Sequence, residues 1–127
     1  GPRPGKVGLV IGGGSGHEPC FLGYVGKGLA DAGAVGNVFS SPPPGPILEC
    51  ARASSGGAGA LFVYGNYAGD TMNFEMAAEM AHDEGIQVRT VLTTDDIASS
   101  PIEDRDGRRG VAGNFFIFKI AGAACDE

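Results

Sequence analysis

Two side chains in this 127-residue sequence have types and settings suited to acid–base work, His17 and Asp70. His17 follows Gly12-Gly13-Gly14-Ser15-Gly16 and precedes Glu18-Pro19. An imidazole titrates near neutrality, and an ionised aspartate can orient it or take a proton from a hydroxyl. A glycine-rich turn lets backbone N–H groups come close to a ligand, so polar side chains behind it are placed for chemistry. Each residue also admits a plainer role. His17 would cap a helix beginning near Pro19, and Asp70 would cap a helix over 72–84. The residues alone leave both alternatives open.

Other polar groups read as structural. Glu18 complements a first helical turn. Ser15 sits in Gly13-Gly14-Ser15-Gly16-His17, which ends in His where a G-x-S-x-G nucleophile elbow needs Gly. No G-x-x-x-x-G-K-[ST] is present, and Gly14-Ser15-Gly16 is followed by His17-Glu18-Pro19 instead of x-x-Gly. The turn therefore suits a small polar ligand better than a pyrophosphate. His82 lies on the polar side of its helix and reads as a solvated surface group. Asp95 and Asp96 are adjacent acids in a loop, and no metal ligand is assigned. Tyr67 is equally suited to lining a pocket or to packing.

Four apolar runs must position these groups: 7–11, 34–39, 58–64 and 87–92. Helical stretches 19–32, 44–54 and 72–85 lie between them, with 110–124 after the last. This alternation is the signature of βαβ units, so the expected fold is α/β, a mostly parallel sheet with flanking helices. In the helix over 72–84, Met72, Phe74, Met76, Ala77 and Met80 are expected to share one broad apolar face. The segment 93–109 reads as a surface loop. Polar clusters 12–18, 40–41, 66–70 and 93–96 each follow a strand, and parallel strands bring all four to one sheet edge.

The chain is long enough for one core and too short for two ordinary domains. Its beginning and its end inside an apolar, helix-like run give the expectation of one domain incomplete at both ends. A net charge of −6, with no basic cluster beyond Arg105, Arg108 and Arg109, argues against nucleic acid or anionic membrane as partners. No apolar run approaches the roughly 20 residues of a membrane span, so a cytoplasmic location is expected. Cys20, Cys50 and Cys125 form no C-x-x-C pair and are expected to be reduced and buried.

Taken together, residues 12–19, Gly23-Tyr24-Val25-Gly26-Lys27-Gly28, Val38-Phe39-Ser40-Ser41-Pro42, Asn66-Tyr67-Ala68-Gly69-Asp70 with Asn73-Phe74, and Gly107-Arg108-Arg109-Gly110-Val111-Ala112 resemble the DhaK-type substrate-binding subunit or domain of dihydroxyacetone kinases. The motifs occur in order along nearly the whole chain. The resemblance makes residues 1–127 the N-terminal part of a DhaK, ketose-binding, domain. It implies a homodimer that holds a short ketose for phosphorylation of a hydroxyl. By motif position, Gly14 would contact the substrate through its backbone and His17 would hydrogen-bond it. Ser41 would line the pocket, and Asp70 would be the general base. A histidine that anchors the ketose covalently would belong to a later segment, so this piece is expected to be inactive alone.

The same resemblance implies that no cofactor is bound by this piece. ATP with Mg on a fused ATP-binding domain, or a phosphotransferase relay through a DhaL-type subunit, would supply the phosphoryl group. The rival from another class is a non-catalytic ketose-binding coactivator on the same fold. One departure bears on specificity: Gly65 stands where many of these kinases have Lys, immediately before Asn66-Tyr67-Ala68-Gly69-Asp70. Loss of a long cationic side chain removes a donor and is expected to open volume, suiting a four-carbon ketose such as erythrulose.

Overall fold

A computed structural model of the chain describes residues 2–127. Four strands, β1 (Gly8–Ser15), β2 (Ala32–Val38), β3 (Ala60–Gly65) and β4 (Val88–Thr93), form one sheet in the order β2-β1-β3-β4. Every pairing is parallel. The helices are α1 (Pro44–Ser54), α2 (Ala68–Asp83) and α3 (Gly113–Asp126). β2 and β3 flank β1 on opposite sides, so the chain reverses direction across the sheet at β1. The crevice at such a switch point, outside the carboxyl ends of the strands, is where open α/β sheets hold ligands.

Side-chain alternation along the strands fills two cores. Val10, Phe62 and Tyr64 point to the face covered by α1 and α2, where they meet Ile47, Ala51 and Phe74. Leu9, Ile11 and Val63 point the other way, to Phe118 of α3. Strands buried on both faces read as continuous apolar runs, as these do. Tyr64 stacks on Phe74 with centroids 4.2 Å apart, and Phe62 meets Phe74 edge-on at 5.6 Å.

Four expectations need correction. The strand does not stop at Ile11: β1 runs through Gly12, Gly13 and Gly14 to Ser15, and the turn proper begins at Gly16, with φ of 95°. Residues 19–32 hold no α-helix, only a 3-10 turn at Leu22–Tyr24, because Phe21 and Gly28 adopt φ of 68° and 72°, incompatible with a right-handed helix. Helix α2 begins at Ala68, and its buried residues are Phe74, Ala77 and Ala81. Met72, Met76 and Met80 lie on the opposite side and are 60%, 48% and 39% exposed. The helix touches its neighbours along a stripe narrower than the one expected. Lastly, Cys20, Cys50 and Cys125 are free thiols but half-buried.

The loop after β4 contains a 3-10 stretch at Ile102–Gly107 and is strapped down. Asn66 Nδ2 donates to the carbonyls of Asp106 at 3.2 Å and Arg108 at 2.9 Å. The Tyr67 hydroxyl donates to Gly110 O at 3.2 Å, and the Arg109 guanidinium lies 5.5 Å from the centre of the Tyr67 ring. Asp95 caps α3, accepting from the N–H groups of Val111 and Gly113. His82 is exposed, as expected, but its Nε2 also accepts from Val88 N at 3.0 Å and ties α2 to the start of β4.

Phe74→Ala should cost about 3–5 kcal/mol, read as a fall in the urea midpoint at unchanged slope. Met76→Ser should stay within about 0.5 kcal/mol. Equal losses for the two would contradict this assignment of the buried face.

Candidate functional site

The glycines of β1 are there for close packing. A Cβ on Gly13 would stand 2.3 Å from the Phe21 ring, and one on Gly14 would stand 2.5 Å from Ser40 N. With no side chains at these positions, the ends of β1 and β2 and the segment after β2 draw together around a cavity of about 610 Å³. Gly14, His17, Ser41 and Asp70, the four candidate site residues, all line it. Three of the four polar clusters therefore converge as parallel strands require. The fourth does not: Thr93 is buried and donates to Asn114 Oδ1 at 2.5 Å, while Asp95 serves as the α3 cap. Gly110, Val111 and Asn114, from the start of α3 and the loop before it, line the cavity in that place.

Asp70 is not the cap of its helix. It lies in the first turn of α2, whose N-cap is Tyr67. It falls four residues before Phe74, seven before Ala77 and eleven before Ala81, so it continues the buried stripe toward the N-terminus. Its carboxylate is thereby carried inward at the cavity edge. Oδ1 is buried and has no hydrogen-bond partner. Burial pushes the Asp70 carboxyl above its ordinary value, while the nearby Ser41 hydroxyl and His17 pull it the other way. A carboxylate of raised pKa beside an open cavity is suited to accepting a proton.

His17 is exposed on the cavity side, with its ring against Phe39 at 5.0 Å and Phe21 at 6.0 Å. Two aromatic edges restrict the imidazole without consuming its nitrogens. Glu18 accepts from Gly16 N, its carboxyl is held below the usual value by its own backbone N–H and then by that of Gly16, and Ser15 donates to Gly36 O at 2.6 Å. Glu18 therefore does not complement a first helical turn as expected, because no α-helix follows Pro19; it closes the turn at Gly16 instead. Ser41 Oγ accepts from Asn73 Nδ2 at 3.2 Å.

Sequence reasoning did not single out Cys20, Phe21, Phe39 and Asn114, which also line the cavity. Phe39 carried a signal in standing just before Ser40-Ser41, and Asn114 in being a polar residue within an apolar helical run. Cys20 carried none. Burial raises its thiol pKa. Gly65 lines the cavity, yet the missing side chain does not leave a void. A Cβ there would lie 2.9 Å from the Tyr67 ring and 3.2 Å from Gly110 O, so Tyr67 fills that volume.

Among the described residues, no group of three or more His, Cys, Asp or Glu side chains gathers as a metal site would require. Asp70 is the one carboxylate among the groups lining the cavity. Among the described residues, no helix is long and apolar enough to cross a membrane.

The chain is similar over nearly its whole length to known proteins. The dihydroxyacetone-binding subunit DhaK of a PTS-dependent dihydroxyacetone kinase 2 from Listeria innocua is 57% identical over 119 residues, which are 94% of this chain and 35% of that subunit. The D-erythrulose kinase of Mycolicibacterium smegmatis is 50% identical over 125 residues, 98% of this chain and 22% of that enzyme. The crystal structure of the C. freundii dihydroxyacetone kinase with AMP-PNP and Mg2+ superposes with a TM-score of 0.90 at 39% identity, over 98% of this chain and 23% of the kinase. The dihydroxyacetone kinase operon co-activator Dha-DhaQ superposes with a TM-score of 0.86 at 37% identity, over 94% of this chain and 37% of its own. The chain thus spans well under half the length of each. The Dak1 domain model matches residues 1–127, and the chain belongs to the Dak1 domain family.

Proposed function

We propose that this domain, within its complete protein, binds a short-chain ketose and presents one hydroxyl for phosphorylation, as part of a dihydroxyacetone-kinase-type phosphotransferase. The observation that carries the reading is the Asp70 carboxylate, buried at one oxygen without a partner and lining the same cavity as His17. The Gly14 backbone and Ser41 hold the ketose, and His17 hydrogen-bonds it. Asp70 accepts the proton of the attacking hydroxyl as its oxygen moves in line onto the phosphorus. Positioning of this kind is the larger part of catalysis for phosphoryl transfer.

The phosphoryl group comes from outside the cavity, from ATP on an ATP-binding domain or from a relay through a DhaL-type partner. Relatives of both kinds exist, one PTS-dependent and one solved with AMP-PNP and Mg2+. Assembly as a homodimer and a cytoplasmic location rest on the family resemblance. The piece is inactive alone, because donor and covalent anchor are supplied elsewhere.

The similarity to the co-activator Dha-DhaQ supports a second reading, ketose binding without transfer. In the complete protein, Asp70→Asn should abolish phosphoryl transfer while ketose affinity, measured by calorimetry, stays within about threefold, the modest change that loss of a single neutral contact gives. Unchanged turnover would remove Asp70 from the role of base. A parent protein that binds ketose yet never turns over would favour the co-activator.

The raised carboxyl has a consequence for stability. A folded state that holds the Asp70 proton more tightly than the unfolded chain gains from this group at low pH, and the gain is lost as pH rises through the raised value. At neutral pH the buried charge is a cost. Asp70→Asn should therefore raise the stability of the protein at pH 7, and the difference should fade as pH falls through the raised value. A destabilised variant at pH 7 would contradict the burial argument.

The similarity to an erythrulose kinase supports a four-carbon ketose as substrate, whereas Gly65 adds no room for one, because the Tyr67 ring fills the space beside it. Gly65 places no cationic donor on that wall, and the Tyr67 ring makes it apolar. kcat/KM for a four-carbon ketose should exceed that for the three-carbon one in the complete protein. Equal efficiencies would overturn this assignment.

A further inference from the structure

Among the described residues, the non-glycine residues with positive φ are Phe21 at 68° and Phe39 at 51°, and the rings of both lie against His17. A residue with a Cβ is sterically strained in that region, and such strain persists where the surrounding structure has a use for it. Phe21 has a packing reason to be there, because its ring rests on the apolar cluster of Leu9, Ile11, Val63 and Phe118. Phe39 has no such reason, being 70% exposed. It is the third residue of a turn closed by Ser40 N donating to Asn37 O at 3.0 Å, where positive φ is adopted most readily by glycine or asparagine.

Phe39 does touch the turn that carries His17. Its N–H donates to Ser15 O at 2.8 Å, and its ring lies so close over Gly16 that a Cβ there would stand 2.9 Å from it. The ring centroid is 5.0 Å from that of His17, edge-on at an interplanar angle of 64°, while Phe21 meets the same imidazole at 6.0 Å and 85°. All three rings line the cavity. Edge contacts of this kind orient an imidazole without taking a hydrogen bond from it, so its nitrogens stay open to a ligand.

We propose that Phe39 is a positioning residue for His17: it occupies a strained and exposed place because its ring edge, together with Phe21, fixes the plane in which the imidazole meets the ketose. This rests on the reading of His17 given above. An exposed histidine otherwise turns about its side-chain torsions, and the freedom it gives up on binding weakens its hydrogen bond to a ligand. Restricting the imidazole beforehand removes that loss. Glycine at position 39 would relieve the backbone and release the imidazole. Stability should then hold while ketose affinity falls, a split that a residue serving only to build the turn would not give.

The test is calorimetric titration of the complete protein with dihydroxyacetone, beside its urea midpoint, for the parent, Phe39→Gly, Phe39→Tyr, His17→Ala and the double variant of His17→Ala with Phe39→Gly. Phe39→Gly should lower affinity by about three- to tenfold, the share of one oriented hydrogen bond, with a midpoint no lower than that of the parent. Phe39→Tyr keeps the ring and should bind as the parent does. Beside His17→Ala, Phe39→Gly should lower affinity no further, because the ring acts through the imidazole. Phe39→Asn is the second variant if glycine does not fold. Unchanged affinity in a folded Phe39→Gly or Phe39→Asn protein, a midpoint lowered in both, or a loss that persists beside His17→Ala would overturn the proposal. A parent with no affinity for dihydroxyacetone, or one whose affinity His17→Ala leaves intact, defeats the reading of His17 instead, so the two failures are told apart.

Discussion

The absence of side chains along the second half of β1 is the constraint on which the rest of the structure depends. β1 is a central strand, paired on both sides, and its partners approach too closely for a Cβ. One on Gly12 would lie 2.4 Å from Ala34 O, and one on Gly36, the register partner of Gly14, would lie 2.1 Å from Ser40 O. Two facing glycines let the segment after β2 fold back over the strand ends. That fold-back sets Ser40 and Ser41 beside the end of β1 and makes the cavity floor out of main chain, which can approach a small polyol as no side chain could. Phe39 accommodates the reversal with φ of 51°, an unusual value for a residue with a Cβ.

Helix α2 brings the chemistry to that floor through the register of its buried stripe. Phe74, fixed between Tyr64 and Phe62, sets the rotation of the helix, and the rotation carries Asp70 inward one turn earlier. A carboxylate held there resists its own ionisation, and the apolar contacts of Phe74, at about 3–5 kcal/mol, exceed the 1–3 kcal/mol of an unpaired buried polar group. Core packing therefore enforces a conformation that the charge would refuse on its own. Asn73, one turn further along α2, reaches Ser41 because the same rotation presents it to the segment after β2.

The alternation of apolar runs made the parallel sheet legible, and the polar residues behind those runs made the cavity legible. α1 has the expected bounds because Pro44 marks its start and the three-proline turn before it cannot continue β2. Where the reading failed, tertiary contacts had reversed a local preference. Gly12–Gly14 looks like a turn in isolation and becomes a strand because its neighbours exclude side chains. The methionines of α2 look like core because they are apolar, but the stripe that meets the sheet is the one defined by Phe74, Ala77 and Ala81. Thr93 and Asp95 follow a strand as site residues do, yet they are used up in fixing Asn114 and the start of α3. Side-chain hydrogen bonds across 18 and 21 residues leave no periodic trace in a sequence.

On the proposed function, the charges around the cavity suggest how labour would divide between this domain and a phosphoryl donor. A polyphosphate is held by cationic side chains, metal ions or the amides at a helix N-terminus. No Lys or Arg lines this cavity, the first turn of α2 at its edge carries the one carboxylate, the Gly113 N–H at the start of α3 is already taken by Asp95, and the chain as a whole carries −6. A neutral polyol meets none of these penalties and gains the Gly14 main chain, an imidazole and two serine hydroxyls as partners. On the proposed function, the acid–base group and the donor's counter-charges would therefore sit on separate surfaces. Closing those surfaces on each other would bring the anion toward Asp70 only when a hydroxyl stands between them to share the proton.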